Sequence, residues 1–203
     1  MEAEEHAEAL FEANQLDTEG TNWAYLPYGP FADLKSYHSW VRENQGLEDP
    51  VFLAIVEKLS GRPLGIASYL RIHPAEGSIE VGHIHFSPLL QRTTSATESM
   101  FLMMQWAFEA GYRRYEWKCN ALNQASRRAA QRLGFSFEGI FRQMMIVKGR
   151  NRDTAWYAAI ESEWPALKTA FERYLDEMNF DKEGRPVTSL SSLTEPILHK
   201  KDV

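Results

Sequence analysis

A chain of 203 residues with 44% apolar content is long enough for one compact domain with its own core. No apolar run approaches the roughly 20 residues that cross a bilayer, and Glu2, Glu4 and Glu5 stand where a secretory leader would carry basic residues. A single cysteine, Cys119, excludes an internal disulfide and fits a reducing, cytoplasmic setting, while a formal charge of −6 argues against nucleic acid as a partner.

In chain order, Ala3, Ala7, Leu10, Phe11 and Asn14 fall on one face of an opening helix. The stretch 20–30 is turn-rich and aromatic, with Trp23, Tyr25 and Tyr28 among Pro27, Gly29 and Pro30. A second helix is expected over Ala32–Glu43. Val51–Lys58 and Leu64–Ile72 read as strands joined by the turn Ser60-Gly61-Arg62-Pro63. With the next strand they make an antiparallel meander.

That next strand opens the central stretch. Ile79, Val81, His83 and His85 alternate with Glu80, Gly82, Ile84 and Phe86 before Ser87-Pro88. Ala96, Met100, Phe101, Met104, Ala107 and Phe108 then share a helical face, and Gly111 supplies a stop. Thr93, Thr94 and Ser95 lie where the helix begins. A helix start offers unpaired N–H groups and partial positive charge, so strand, polar turn and helix together suit a pyrophosphate.

Arg113–Cys119 reads as a short strand with Tyr115, Trp117 and Cys119 on one face. Asn123 is placed as the cap of a helix that ends at Gly134. Phe135–Ile140 is expected as a short strand. Gln143–Lys148 and Thr154–Ile160 are expected as a hairpin across the polar turn 149–153. Pro165 suits the first turn of a helix carrying Leu167, Phe171, Tyr174, Leu175 and Met178 on one face. Residues 181–203 are polar and broken by Gly184, Pro186 and Pro196, so a loose or surface-wrapping tail is expected. The organisation expected is a domain over residues 1–162, with residues 163–203 a helix and tail packed on it.

Four pieces of the chain resemble the GCN5-related N-acetyltransferase (GNAT) superfamily, and within it the ribosomal-protein-alanine-acetyltransferase-like (RimJ/RimL-like) branch. They are Glu80-Val81-Gly82 with Ser87-Pro88; Gln91 through Glu98; Asn123 and Ser126 followed by Leu133-Gly134-Phe135; and Phe137-Glu138-Gly139 with Arg142 and a hairpin. The resemblance spans about residues 1–162. It implies an α/β (α+β) fold, with a mixed, mostly antiparallel sheet, helices on both faces and splayed central strands. It implies acetyl-CoA as acetyl donor, with the pantetheine arm in the gap between those strands. It assigns donor contacts to Phe86, Gln91, Arg92, Thr93, Thr94, Ser95, Ala96, Asn123 and Ser126.

The chain departs from that pattern in three places. Arg92 and Thr94 stand where the branch carries glycine. Their side chains either crowd the phosphates or add hydroxyl donors and charge, and retained binding is expected. Ala130 stands where many members carry a tyrosine general acid. The branch usually has a strand before its first helix; this chain begins at that helix, so it either lacks that edge strand or is a shortened form.

Amide formation from a thioester needs an unprotonated amine, a polarised carbonyl and a proton for the departing thiolate. The titratable candidates near the central strand are Glu80, His83, His85 and Glu116. Alternation sets both histidines on one face and Glu80 on the other. Ser126 is a candidate donor to the thiolate. Trp23, Tyr25 and Tyr28 are candidates for an acceptor-side wall. Two histidines one residue apart also suit a metal, but no third ligand accompanies them, so no metal is expected. Arg127 and Arg128 either reach donor phosphates or are solvated. The expected activity is direct acetyl transfer from acetyl-CoA to a primary amine, a small metabolite or a protein N-terminus, by a monomer or homodimer with no membrane or nucleic-acid partner. The alternatives are a non-catalytic acyl-CoA-binding module with a degenerate pyrophosphate loop, and a structural dimer built on the C-terminal helix.

Overall fold

The computed structural model describes residues 1–202. Among these residues six strands form one mostly antiparallel sheet, with helices before, between and after them. In chain order the elements are α1 (Ala3–Asn14), a 3₁₀ turn (Thr21–Trp23), α2 (Leu34–Asn44), β1 (Val51–Val56), β2 (Pro63–His73), β3 (Ser78–Phe86), α3 (Thr94–Glu109), β4 (Arg114–Asn120), α4 (Gln124–Arg132), β5 (Ser136–Val147), β6 (Arg150–Ile160), α5 (Trp164–Leu175) and α6 (Leu190–Thr194). The strand order is β1-β2-β3-β4-β6-β5. The mixed α/β architecture expected from the sequence is the one observed.

Two compact units divide the chain. The first comprises Met1–Ile72 and Glu80–Ala96. Its core is built by α1, α2 and the first strands: Ala3, Ala7, Leu10, Trp23, Tyr37, Val41, Phe52 and Ile66 are all buried together. Asp33 explains why α2 starts where it does. Its side chain accepts from the Ser36 N–H at 2.7 Å, and the Ser36 hydroxyl lies against the backbone of Asp33, a capping box.

The second unit comprises His73–Ile79 and the chain from Thr97 onward. Tyr115, Trp117 and Cys119 are buried along β4, as their alternation requires. Phe101 stacks on Phe171 of α5 at 5.1 Å, and Tyr115 and Trp117 both meet Phe135.

Three expectations need correction in this unit. The separate strand and hairpin expected over residues 135–160 are two long strands. Val147 pairs with Arg150, so the loop is Lys148-Gly149, with both residues at positive φ (49° and 73°). That is the geometry a two-residue hairpin turn demands, and Arg150–Asp153 therefore belong to β6. The break expected near residue 142 is a bulge: the register shifts between Phe141 and Met145, Gln143 takes φ 51°, and its N–H bonds the Asp153 carboxylate at 2.7 Å. Met178 is not on the face of α5. The helix stops at Leu175, Asp176 accepts from the Met178 N–H, and Met178 is 88% exposed.

The tail does wrap. Leu190 and Thr194 are buried, and the Asn179 side chain bonds the carbonyls of Tyr174 and Thr188.

Gly134 shows how tightly this unit closes. It takes φ +88°, and an added Cβ would stand 2.3 Å from Leu167 Cδ2. Gly134→Ala is therefore expected to destabilise the protein by about 1–3 kcal/mol through strain and overpacking, read as a lower urea midpoint with unchanged slope.

Candidate active site

In the first unit, the chain leaves β3 at Phe86 and enters α3 at Thr94. The Ser87 N–H bonds the Leu64 carbonyl at 3.0 Å, and the Leu90 and Gln91 N–H groups bond the Ser87 carbonyl. The Gln91 side-chain amide then turns back, donating to the Phe86 carbonyl and to Asn22 Oδ1, each at 2.9 Å. Thr93 is the cap of α3: its hydroxyl accepts from the Ala96 N–H at 3.1 Å and donates to the Leu90 carbonyl at 2.7 Å. The N–H groups of Thr94 and Ser95 have no acceptor within a helix that starts at Thr94. Arg92, exposed, takes φ +62°. Glycine would adopt that left-handed conformation without strain; Thr94, by contrast, is helical and needs no glycine.

The titratable groups of β3 sit in different surroundings. Glu80 is buried and meets the Arg71 guanidinium at 2.7 Å. His83 takes φ +50°, which bends the strand at that residue. Its Nδ1 lies 3.2 Å from the Tyr28 hydroxyl, with the two rings stacked at 5.6 Å and Phe52 at 5.0 Å. His85 is buried and stacked on Trp23 at 3.7 Å, and its Nε2 has no hydrogen-bond partner among the described residues. Burial pushes its pKa down to about 4, opposed weakly by the charge of Asp17, so the ring is neutral near pH 7. Trp23 and Tyr28 belong with Phe31, Tyr37 and Trp40 to an aromatic cluster in the core of this unit, whereas Tyr25 is 39% exposed.

In the second unit, Glu116 on β4 lies 2.7 Å from Lys118 Nζ and 2.6 Å from Arg114 Nε. Burial alone would raise its pKa; the two cations outweigh it and hold the carboxyl below its ordinary value. Asn123 caps α4, its side chain accepting from the Ser126 N–H at 3.1 Å. Ser126 Oγ accepts from the Trp117 indole at 3.0 Å. Cys119 lies close by; burial pushes its thiol up, against the Ser126 hydroxyl, so it is no thiolate nucleophile. Arg127 is paired with Asp202, which leaves its guanidinium committed within the protein, while Arg128 is exposed.

Arg114 and Lys118 flank Glu116 on one face of its strand, as alternation implies, whereas Arg71 as the partner of Glu80 and Trp117 as that of Ser126 were not evident in the sequence. Asn22 and Asp202 carried no signal at all. The loop of Asn22 reaches Gln91 across a separation of 69 residues, and Asp202 reaches Arg127 across 75. Among the described residues no group of three or more His, Cys, Asp or Glu is arranged to hold a metal ion, and no helix is long and apolar enough to cross a membrane.

Residues 2–136 match the family model of the acetyltransferase (GNAT) domain. A GCN5-related N-acetyltransferase from Brucella melitensis is 44% identical to this chain, with a TM-score of 0.92 over 95% of this chain and 88% of that one. A probable acetyltransferase of the GNAT family from Chromobacterium violaceum is 43% identical, with a TM-score of 0.77 over 82% of this chain and 83% of that one. An acetyltransferase from Salmonella typhimurium that modifies the N-terminal serine of a 50S ribosomal subunit protein shares the fold at 23% identity, with a TM-score of 0.65 over 76% of this chain and 89% of that one. No curated protein matches the chain.

Two stability measurements follow from this geometry. Because Arg92 stands in the left-handed region, Arg92→Gly is expected to exceed Arg92→Ala in stability by about 1 kcal/mol in urea titrations. For His85 the folded pKa lies below the ordinary value of 6.5, so between about 4 and 6.5 the unfolded chain binds the proton and the folded chain does not. Stability is present above that window and falls by up to about 3 kcal/mol as pH drops through it. His85→Gln should flatten that part of the stability–pH curve.

Proposed function

We propose, from the premise that this chain belongs to the GNAT acetyltransferase family and is an N-acetyltransferase of it, that it takes acetyl-CoA as donor and passes the acetyl group directly to a primary amine. Members of the family generally use acetyl-CoA, whose activated thioester supplies the acyl group. The observation that carries the donor assignment is the start of α3. There, the unpaired amides of Thr94 and Ser95, their hydroxyls and the Arg92 cation suit a diphosphate, and no carboxylate lies between Ser87 and Thr97 to oppose it. The Ala96 N–H serves the Thr93 cap instead, so Ala96 and Thr93 shape the turn while Arg92, Thr94 and Ser95 bind. Gln91 works from behind, holding the Phe86 carbonyl so that the β3 backbone keeps its direction.

The base is assigned by the state of each candidate. Glu80 and Glu116 are bound to cations, and a carboxylate stabilised in its charged form is a poor proton acceptor. His85 is sealed in the core with a pKa of about 4. His83 remains, at a strained backbone position of the kind that collects at functional sites. In the tautomer whose Nδ1 donates to the Tyr28 hydroxyl, Nε2 is the nitrogen that would take the ammonium proton. Burial raises the Tyr28 pKa, so that hydroxyl stays neutral. The amine nitrogen then attacks the thioester carbon, a β3 backbone N–H near Phe86 polarises the carbonyl, and the C–S bond breaks. The nitrogen sheds its second proton to solvent as the amide forms, and the thiolate takes one from Ser126, whose oxygen is steadied by Trp117 and which solvent reprotonates, or directly from solvent.

The RimJ/RimL-like motifs favour a protein N-terminus or a small metabolite amine as acceptor. The lone buried cysteine favours the cytoplasm.

The reading is tested by release of free thiol from acetyl-CoA over a panel of small amines and peptide N-termini. Turnover on at least one is expected, and none would overturn it. On the accepted amine, His83→Ala should lower kcat by roughly 10²–10⁴-fold, with activity recovering as pH approaches the pKa of the amine. An unchanged kcat would remove His83 from the mechanism.

A further inference from the structure

We propose that Asp202 is a positioning residue for donor binding: through Arg127 its carboxylate holds the first turn of α4, and with that turn Asn123 and Ser126. The inference rests on the reading above, in which this turn contacts acetyl-CoA. A helix of nine residues whose buried set, among its described residues, is Ala130 has little apolar area to fix it in place. Polar contacts must do so, and they converge on one guanidinium.

Arg127 donates from Nε and Nη2 to the two oxygens of Asp202, at 2.6 and 2.5 Å, the two-pronged geometry that fixes orientation as well as distance. Its Nη1 donates at 2.9 Å to the carbonyl of Ala121, two residues before the Asn123 cap. The Ala121 N–H in turn bonds the Asp153 carbonyl at 2.8 Å. One side chain therefore ties α4 to the loop that enters it. Asp202 is itself over-determined. It also accepts from the Tyr157 hydroxyl, and its N–H donates to Gln131 Oε1 at 2.8 Å. The preceding residues are held by the Lys200 carbonyl accepting from the Phe137 N–H and by the His199 N–H donating to Ser136 Oγ, both at 2.9 Å. The ion pair is sheltered, with side-chain exposures of 14% and 5%, so losing one charge leaves the other uncompensated and frees Arg127 to swing.

Asp202→Asn keeps the shape and removes the charge. Calorimetry with CoA is expected to show a dissociation constant about 5–20-fold higher, with kcat at saturating acetyl-CoA reduced less than about 2-fold, because solvent replaces Ser126 as the thiolate's proton donor. A merely structural contact would lower the melting temperature without that split. A double-mutant cycle sharpens the test: if Asp202 acts through the α4 turn, Asp202→Asn adds little once Ser126→Ala is present. Additive effects, or an unchanged dissociation constant in Asp202→Asn, overturn the proposal. If that variant fails to fold, Tyr157→Phe removes one contact and leaves the ion pair. It should weaken CoA about 2-fold, and no change overturns the proposal. Asp181→Asn, which breaks the Asp181–Arg185 pair elsewhere in the tail, should leave CoA binding unaltered. A wild-type protein that binds no CoA would refute the donor reading itself, and this proposal with it; binding unaffected by Asp202→Asn refutes this proposal alone.

Discussion

Leaving a strand and starting a helix within seven residues strands a set of backbone groups, and the way this chain satisfies them organises its first unit. Gln91 reaches back to the Phe86 carbonyl, Asn22 steadies Gln91, and Thr93 caps the helix. What remains unsatisfied is the pair of amides at Thr94 and Ser95, which face outward from a helix of 16 residues. The turn closes without glycine because Arg92 itself accepts the left-handed conformation, at a strain of about 1–2 kcal/mol. In exchange the turn carries a cation beside the two free amides, where a family pattern built on glycine would have bare backbone. Strain and charge sit on one residue: glycine there would remove both, alanine the charge alone.

Ion pairing sorts the acids and bases. Arg71 holds Glu80, and Arg114 with Lys118 holds Glu116, so each carboxylate that alternation places near the centre of the sheet is already spent. The two histidines of β3 part ways for a different reason. His85 lies against the indole of Trp23 in a sealed setting that keeps it neutral. His83, at the bend of the strand, keeps a hydroxyl partner in Tyr28. Neighbouring positions on one strand thus receive unlike chemistry from burial and partner choice alone.

In the second unit the short helix α4 depends on polar contacts because it is too short and too polar to be held by apolar packing. Its cap, its serine and its arginine are each fixed by a different element: the loop at Asn123, the strand residue Trp117, and Asp202 of the tail. Arg127 is the instructive case. Read in isolation it is a plausible phosphate ligand, yet a carboxylate that lies 75 residues away in sequence has claimed it.

Local patterns were enough to read the helices and most strands: the 3.6-residue spacing of α1, α3 and α5, the alternation of Tyr115, Trp117 and Cys119, the Asn123 cap and the turn between β3 and α3 all depend on neighbours within a few positions. They also carried the family resemblance, and the glycine-like conformation of Arg92 was foreshadowed by its place in that motif. The long β5–β6 hairpin escaped because Lys148 adopts a conformation that its residue type disfavours, and Asn, Arg and Asp residues that read as a turn are strand residues paired across it. Who holds Glu80, Gln91 and Arg127 was decided by tertiary structure alone. A hydrogen bond or ion pair between residues distant in the chain leaves no periodicity behind, and burial, which set the charge state of His85, is a property of the folded surroundings rather than of the residue.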